Sequence, residues 1–542
     1  VNGEMINTDK LYQNNGNGTF SNVSRQAGIL KEGYGLGVSV CDINQDGWPD
    51  IFVSNDYVSN DLFYINNHDG TFTDKASTVF KHTSYSAMGN DVSDYNNDGL
   101  LDLIEVDMLP ADNYRKKMML GATNHDRYRS EIQYGYDPQF MRNSLQLNQG
   151  LDHDGLPNFS EIGMLAGVAA TDWSWCPLFA DIDNDGWRDL IITNGYPRDI
   201  TNRDFINYRA QEYMQQNQQQ GGGSKIYAAL QKLDGAFLNN FIFQNKKNGG
   251  FEDVSKNWGF TISSYSTGAA YADLDNDGDL DMIVTNTGIP AFVYKNNTDS
   301  IYHNNFLSIS LNGPTGNKNG YGAKINLYAN GLNSFQEHQT IHGYQSSMQD
   351  EIHFGLGKAK QVDSILITWP TGQIQYLTNV KANQLLKINY TDSKLESTPN
   401  KKIESDWITN VSNLGIDFVH KETLYTDFNI QPLLPHKFSM AGPGIAVGDM
   451  NGDKLDDFFI GGAYNQSGEL FFQQANGKFT SRQLDLGKKY EEDMGSLLFD
   501  ADNDNDLDLY VVSGGNEFAD ASKYFQDRLY FNDGKGNFTI DR

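Results

Sequence analysis

Cysteine, positive charge and long apolar runs are the three things this sequence has little of. Two cysteines in 542 residues, Cys41 and Cys176, cannot build a disulfide framework. They are expected as two buried thiols, with a single bridge between them as the alternative. Only 41 Lys and Arg stand against 70 Asp and Glu, a formal net charge of −29. Nucleic acids and anionic bilayers are held by concentrated positive charge, so no nucleic-acid partner is expected. No stretch of 18 apolar residues occurs, which argues against a transmembrane helix. The opening Val1-Asn2-Gly3 carries no basic region, apolar core or lipid-attachment cysteine. The expectation is a removed targeting segment, or a chain that is part of a longer protein. Disorder is ruled out by 38% hydrophobic and 12% aromatic residues spread along the chain.

What the sequence does have is a repeat. Asp42-x-Asn44-x-Asp46-Gly47-x-x-Asp50 recurs as Asp94, Asn96, Asp98 and Asp102, then as Asp181, Asp183, Asp185 and Asp189. It returns as Asp273, Asp275, Asp277 and Asp281. Two looser copies follow, Asp449, Asn451, Asp453 and Asp457, and Asp500, Asp502, Asp504 and Asp508. Side-chain oxygens at positions 1, 3 and 5 of such a loop converge when it curls, and a carbonyl near position 7 can join them. With a carboxylate at position 9 closing the shell, this supplies the six to eight hard oxygen ligands that Ca²⁺ prefers. Up to six calcium ions are expected. Mg²⁺ is disfavoured by its stricter octahedral geometry. Position 6 needs a tight turn and is glycine in the first four copies. Lys454 and Asn505 replace it in the last two, and Lys tolerates a left-handed backbone poorly, which makes the Asp449 copy the weakest.

The loops are not EF-hands, because the last carboxylate comes at position 9 instead of 12 and the flanks read as strands. Short apolar runs such as Gly37–Cys41, Leu190–Ile192 and Leu509–Val512 border them, so each loop is expected to be the turn of a buried hairpin. A second element recurs beside it, an aromatic strand, an Asn and a Gly-rich turn ending in Phe. It appears at Tyr12 to Phe20, Phe63 to Phe72, Phe243 to Phe251, Phe471 to Phe479 and Tyr530 to Phe538. About four strands per unit, at a spacing of 52 residues from Asp42 to Asp94, indicate propeller blades.

Together the Asp loops and aromatic hairpins resemble FG-GAP/VCBS repeats, the calcium-binding blades of integrin-α-like β-propellers. Between them, Gly320-Tyr-Gly322, Gly343-Tyr344, His353-Phe-Gly-Leu-Gly357, Trp369-Pro370 and Asn379 to Gln384 are similar to the ASPIC/UnbV domain. The combination resembles cartilage-acidic-protein-like proteins, among them bacterial outer-surface lipoproteins. The fold class expected is all-β: two propellers, each partly represented, with an intervening β-rich ASPIC/UnbV-like domain. Blades are expected over 1–300, the intervening domain over 301–392, a linker with first strands over 393–430, and blades again over 431–542.

Two blades carry insertions. One, near 105–143, holds Arg115-Lys116-Lys117 and Tyr114, Tyr128, Tyr134 and Tyr136. The other, near 196–234, reads as a helix from Asp204 followed by a loop at Gly221-Gly222-Gly223. Insertions on a rigid scaffold either bind a partner or pack over the propeller face. His82, His420 and His436 show no nucleophile or metal spacing, and His353 is expected as a buried, hydrogen-bonded ring. No catalytic residue is assigned. The function expected is a calcium-stabilised, non-catalytic binding or scaffold module at the cell surface, extracellular or on the outer membrane. The resemblance implies as partners a glycan or a surface protein, such as a TonB-dependent transporter of the SusC/SusD type. The alternative is a polysaccharide lyase or glycoside hydrolase with its site in a propeller cleft.

Overall fold

Each Asp loop sits in the same place in the chain's architecture. Its first Asp follows the end of one strand, and its ninth residue begins the next. In a computed structural model, which describes residues 7–119, 124–216, 223–395, 411–519 and 521–541, this produces six antiparallel hairpins in one register. The pairs that close them are Cys41 with Asp50, Ser93 with Asp102, Ala180 with Asp189 and Ala272 with Asp281. Gly448 with Asp457 and Phe499 with Asp508 complete the series.

The aromatic hairpin then adds to the second strand of each pair. The first blade is Gly35–Cys41, Asp50–Asn55, Leu62–Asn66 and Phe72–Asp74, hydrogen-bonded in that order. The second and third follow the same order, from Asn90–Ser93 to Pro157–Glu161 and from Ser174–Ala180 to Phe251–Asp253. The fourth has three strands, Ser266–Ala272, Asp281–Asn286 and Phe292–Tyr294. These are β-propeller blades. Their first strands touch one another in chain order, and each apolar core is shared between neighbours, as where Phe52 and Phe63 of the first blade meet Leu103 and Phe159 of the second. Alternation along a strand sends one face of a sheet to each neighbouring blade, so blades stack through apolar side chains.

Residues 305–389 form two sheets over one core. A three-stranded sheet has Asn305–Asn312 between Ile352–Gly357 and Leu385–Asn389, and a four-stranded sheet runs Leu332–Glu337, Lys324–Ala329, Gln361–Thr368, Ile374–Lys381. Leu307, Ile309, Ile325, Leu327, Ile365 and Trp369 fill the space between them. These sheets do not stand apart from the first four blades, because residues 1–398 make one compact unit and 399–542 a second. The reason is the connection between Glu337 and Ile352, which lies along the first strands of all four blades. Glu337 accepts from the Asp42 N–H at 3.1 Å and His342 Nδ1 lies 2.6 Å from Asp91. Tyr344 donates its N–H to Cys176 Sγ, and Ser346 Oγ accepts from the Ala269 N–H at 3.2 Å.

The second unit contains two four-stranded blades, Ile445–Gly448 to Phe479–Gln483 and Glu492–Phe499 to Thr539–Ile540. Among the described residues no helix is long and apolar enough to cross a membrane. Cys41 and Cys176 are both buried and free, as expected.

The insertions join second to third strands, at the blade edge opposite the Asp loops. The first contains helices Asn113–Met118 and His125–Gln133, the second Arg203–Gln216 and Gly223–Lys232. The loop expected at Gly221-Gly222 lies outside the described residues, and Gly223 begins a helix. Arg115 does not project as part of a basic patch. Its guanidinium forks onto Asp172 and reaches Asp199 at 3.0 Å, which fastens the first insertion to the third blade.

Candidate metal centres

The loop backbone is set before any ligand is considered. Position 4 is left-handed in every copy, with Gln45 at φ 59°, Asn97 at 59°, Asn184 at 56°, Asn276 at 61°, Gly452 at 78° and Asn503 at 68°. Position 6 is left-handed too, and Lys454 adopts φ 70° where four other copies use glycine. The double reversal folds positions 1, 3 and 5 onto one centre. The Asp181 carboxylate accepts the N–H groups of Asp185 at 3.0 Å and Gly186 at 2.8 Å, and the equivalent bonds recur at Asp42, Asp94, Asp273, Asp449 and Asp500.

Three loops bring carboxylates at all three positions together. Within Asp181/Asp183/Asp185, Asp273/Asp275/Asp277 and Asp500/Asp502/Asp504, one ligand oxygen of each residue lies within 4.8 Å of the others, so each triad can hold a metal ion. In the other three, position 3 is an amide that touches position 5: Asn44 to Asp46 at 2.8 Å, Asn96 to Asp98 at 2.9 Å and Asn451 to Asp453 at 3.1 Å. All these donors are oxygen, without imidazole or thiolate, which fits a hard cation such as Ca²⁺.

Position 9 lies outside the three triads and has a function that the spacing did not reveal. Each of these aspartates is buried and accepts two backbone N–H groups from different elements. Asp189 takes Ile182 at 3.2 Å and Asn245 at 2.9 Å, and Asp508 takes Ala501 at 2.8 Å and Asn532 at 2.9 Å. Asp50, Asp102, Asp281 and Asp457 repeat the pattern. The carboxylate thus staples the loop to the third strand.

The recurrent Asn of the aromatic hairpin completes the staple. Asn245 Nδ2 donates to the carbonyl of Arg188 in its own loop at 3.0 Å and to Tyr95 in the preceding blade's loop at 2.8 Å. Asn296 joins Leu280 and Ile182, and Asn532 joins Leu507 and Met450, in the same way. Position 4 extends the linkage. Gln45 donates to the Gly99 carbonyl at 2.7 Å, Asn97 to Gly186 at 2.9 Å and Asn184 to Gly278 at 3.0 Å, so the first four loops are tied in series. The sequence carried this signal as an amide at the unassigned fourth position of those copies.

Electrostatics differ from loop to loop. Burial, reinforced by neighbouring carboxylates, holds Asp181 and Asp189 well above the usual carboxylate range and moves Asp183 to about 6. Burial also raises Asp50 and Asp94 to about 7, with Arg188 opposing the shift at Asp94. The hydrogen bond from Lys295 lowers Asp275. Lys247 lies 2.7 Å from Asp185 and Lys324 touches Asp42, so single cations approach the rims of these loops.

His353 is buried, with Nε2 2.6 Å from Asn184 Oδ1, the hydrogen-bonded ring anticipated.

Comparison with known proteins agrees with this geometry. The model of the FG-GAP-like repeat matches residues 1–53, 42–104, 228–284 and 449–511, and that of ASPIC and UnbV matches 313–395. The Asp181 loop falls outside the matched ranges yet shares the geometry of the others. Cartilage acidic protein 1 of Homo sapiens is 24% identical over 378 residues, covering 68% of this chain and 46% of the relative. The Mus musculus protein is 24% identical over 388 residues, covering 69% and 48%. The Xenopus tropicalis protein is 27% identical over 404 residues, covering 71% and 50%. The chain therefore spans about half the length of the curated relatives it matches. A solved Lactobacillus plantarum protein aligns at 8% identity over 94% of each chain with a TM-score of 0.18. With Asp loops and aromatic hairpins on both sides of a two-sheet domain, the chain combines FG-GAP-like repeats with an ASPIC and UnbV domain.

Proposed function

We propose that the chain is a calcium-stabilised, non-catalytic binding module of an extracellular or cell-surface protein. The observation that supports this most is the convergence of three carboxylates in each of three loops that lie between the first two strands of their blades. Clustered like charges oppose folding, and a divalent cation reverses that term, so metal binding contributes folding free energy. The propeller is then a rigid platform. The loops fix one edge, and the helical insertions at the opposite edge present exposed aromatics, Tyr134 in the first and Tyr227 in the second, to a protein or glycan. At a bacterial outer surface the role would be that of an accessory subunit beside a transporter.

Calorimetric titration of the chelated protein with Ca²⁺ tests the metal half of this reading. Saturable binding and a raised melting temperature are expected, with Mg²⁺ much weaker. A melting curve indifferent to both calcium and chelator would refute it. The binding half is tested by purifying the native complex with and without residues 196–234. Partner retention should be lost with the insertion, and a protein that elutes alone in both forms argues against an accessory role.

A further inference from the structure

The blade edge that carries the insertions holds a pair of carboxylates outside the Asp loops. Asp61 stands just before the third strand of the first blade and is 1% exposed. Glu105 ends the second strand of the second blade and is 0% exposed. Each accepts one backbone N–H, Asp61 Oδ1 from Asn55 at 2.7 Å and Glu105 Oε1 from Ser84 at 2.7 Å. Their other oxygens, Asp61 Oδ2 and Glu105 Oε2, have no hydrogen-bond partner. Asp107 shows the contrast, because its two oxygens accept the N–H groups of Tyr85, Ser86 and Met108.

No cation of the protein answers this charge. Among the described residues no Lys, Arg or His nitrogen lies within 4.0 Å of either carboxylate. His82, which bears on Glu105, and Arg142 are both engaged by Glu161, at 3.2 Å and 3.0 Å. A buried charge without a partner is costly, so the pair takes up either a proton or a metal ion.

Two neutral side chains decide between these. Thr83 is 4% exposed and faces Asp61 short of hydrogen-bond geometry, which leaves its Oγ1 unpartnered. Gln139 stands opposite Thr83 in a parallel strand pair and is 6% exposed. Its Nε2 is fixed on Asn60 Oδ1 at 3.0 Å, and its Oε1 is unpartnered too. A proton shared by Asp61 and Glu105 would satisfy those two residues alone. Four buried oxygens from four segments, two of them on carboxylates, match the ligand chemistry of a hard cation.

We infer that this cluster is a further metal site, which takes a divalent cation of the size of Ca²⁺ between the first and second blades. Two carboxylates balance its charge. Oxygens shut off from solvent suit Ca²⁺ better than Mg²⁺, which keeps several of its waters. The ion also steadies the end of the first insertion, because Asn60 beside Asp61 accepts from the Asp137 N–H at 3.1 Å as well as from Gln139. It lies at the edge opposite the Asp loops, under the surface that the insertions offer.

The test uses the whole chain and Ca²⁺ alone, with bound calcium counted per chain by equilibrium dialysis at a concentration that saturates the loops. The double variant Asp61→Asn, Glu105→Gln keeps size and removes charge, and it should bind one ion fewer than the wild type. Thr83→Val should weaken that one ion several-fold and leave the others as they are. Asp181→Asn, made alongside, should lose the ion of its own loop. Equal counts for wild type and double variant would overturn the inference. If Asp181→Asn still loses its ion, the calcium reading of the loops survives that result, and if it does not, both fall. Should the double variant fail to fold, anomalous scattering from wild-type crystals soaked in Tb³⁺ decides. A peak between Asp61 and Glu105 supports the site, and peaks at the loops alone, or none, refute it.

Discussion

The Asp loops of the first compact unit and those of the second share a template but differ in what surrounds it. At Asp181 the first two ligand positions are buried and position 4 is an Asn that ties the loop to its neighbour. At Asp500 all three carboxylates are exposed, and at Asp449 position 4 is Gly452, which has no side chain to reach across. The ligand residues thus define where a cation can sit, while the residues between them define whether one loop senses the next. Loops tied both by position 4 and by the hairpin Asn should load together more strongly than the Asp449 and Asp500 loops, which share the Asn532 link alone.

The comparison breaks first, and hardest, at position 9, where the two units are alike. Asp189→Ala and Asp508→Ala each strand two backbone N–H groups in a buried site, at about 1–3 kcal/mol per group. Each should destabilise its own unit by a similar several-kilocalorie amount in denaturant melts, with calcium or with chelator. A large difference between the two would contradict a shared staple.

Acidity separates the units next. Asp50 and Asp94 titrate at about 7 and Asp183 at about 6 in the folded first unit, above the ordinary 3.8. Between pH 4 and 7 the folded state therefore holds protons that the unfolded chain has released. The stability they contribute is present at low pH and lost as pH rises through the folded values. Chelated protein should show the first unit weakening from pH 4 to 7. Calcium, which competes with those protons, should restore more stability at pH 7 than at pH 5. In the second unit burial raises fewer carboxyls, among them Glu492 to about 8 and Asp506 to about 6, and Asp449 is lowered because backbone N–H groups outweigh its desolvation, so a smaller slope is expected there.

Asn97→Ala removes one inter-loop hydrogen bond, worth about 1 kcal/mol. Calcium isotherms of the first unit should become less steep, while the second unit is unaffected. The smallest effect is a gain. Lys454→Gly relieves a left-handed backbone at φ 70° and should stabilise the second unit by about 0.5–1 kcal/mol. A loss there would mean that the lysine makes contacts outweighing its strain.

Much of this was legible before any coordinates. The spacing at positions 1, 3 and 5, the strand-like flanks and the period near 52 residues follow from local chemistry, because ligand convergence and hairpin closure are properties of short segments. The helix near Asp204 was legible for the same reason, and the buried ring of His353 through its place in the His-Phe-Gly-Leu-Gly motif, although its partner Asn184 lies 169 residues away. The double duty of Asp189 and Asp508 was not, since their N–H partners in Asn245 and Asn532 belong to another strand. Arg188 was visible as a departure from the leucine of neighbouring copies. Its burial depends on a connection more than 140 residues away in sequence, which no periodicity reports. The basic run at Arg115 left binding and packing equally open, because charge on a sequence does not say whether a carboxylate such as Asp172 waits in the fold.

The connection that lies along the blades also sets a clock. His342 meets Asp91 across 251 residues and Tyr344 meets Cys176 across 168. At a synthesis rate of about 5–20 residues per second, the second blade leaves the ribosome roughly 10–50 s before the segment that covers its inner strand. During that interval Asp91 and Cys176 lack the partners that later cover them, so newly made blades pass through a stage in which their inner strands are solvated.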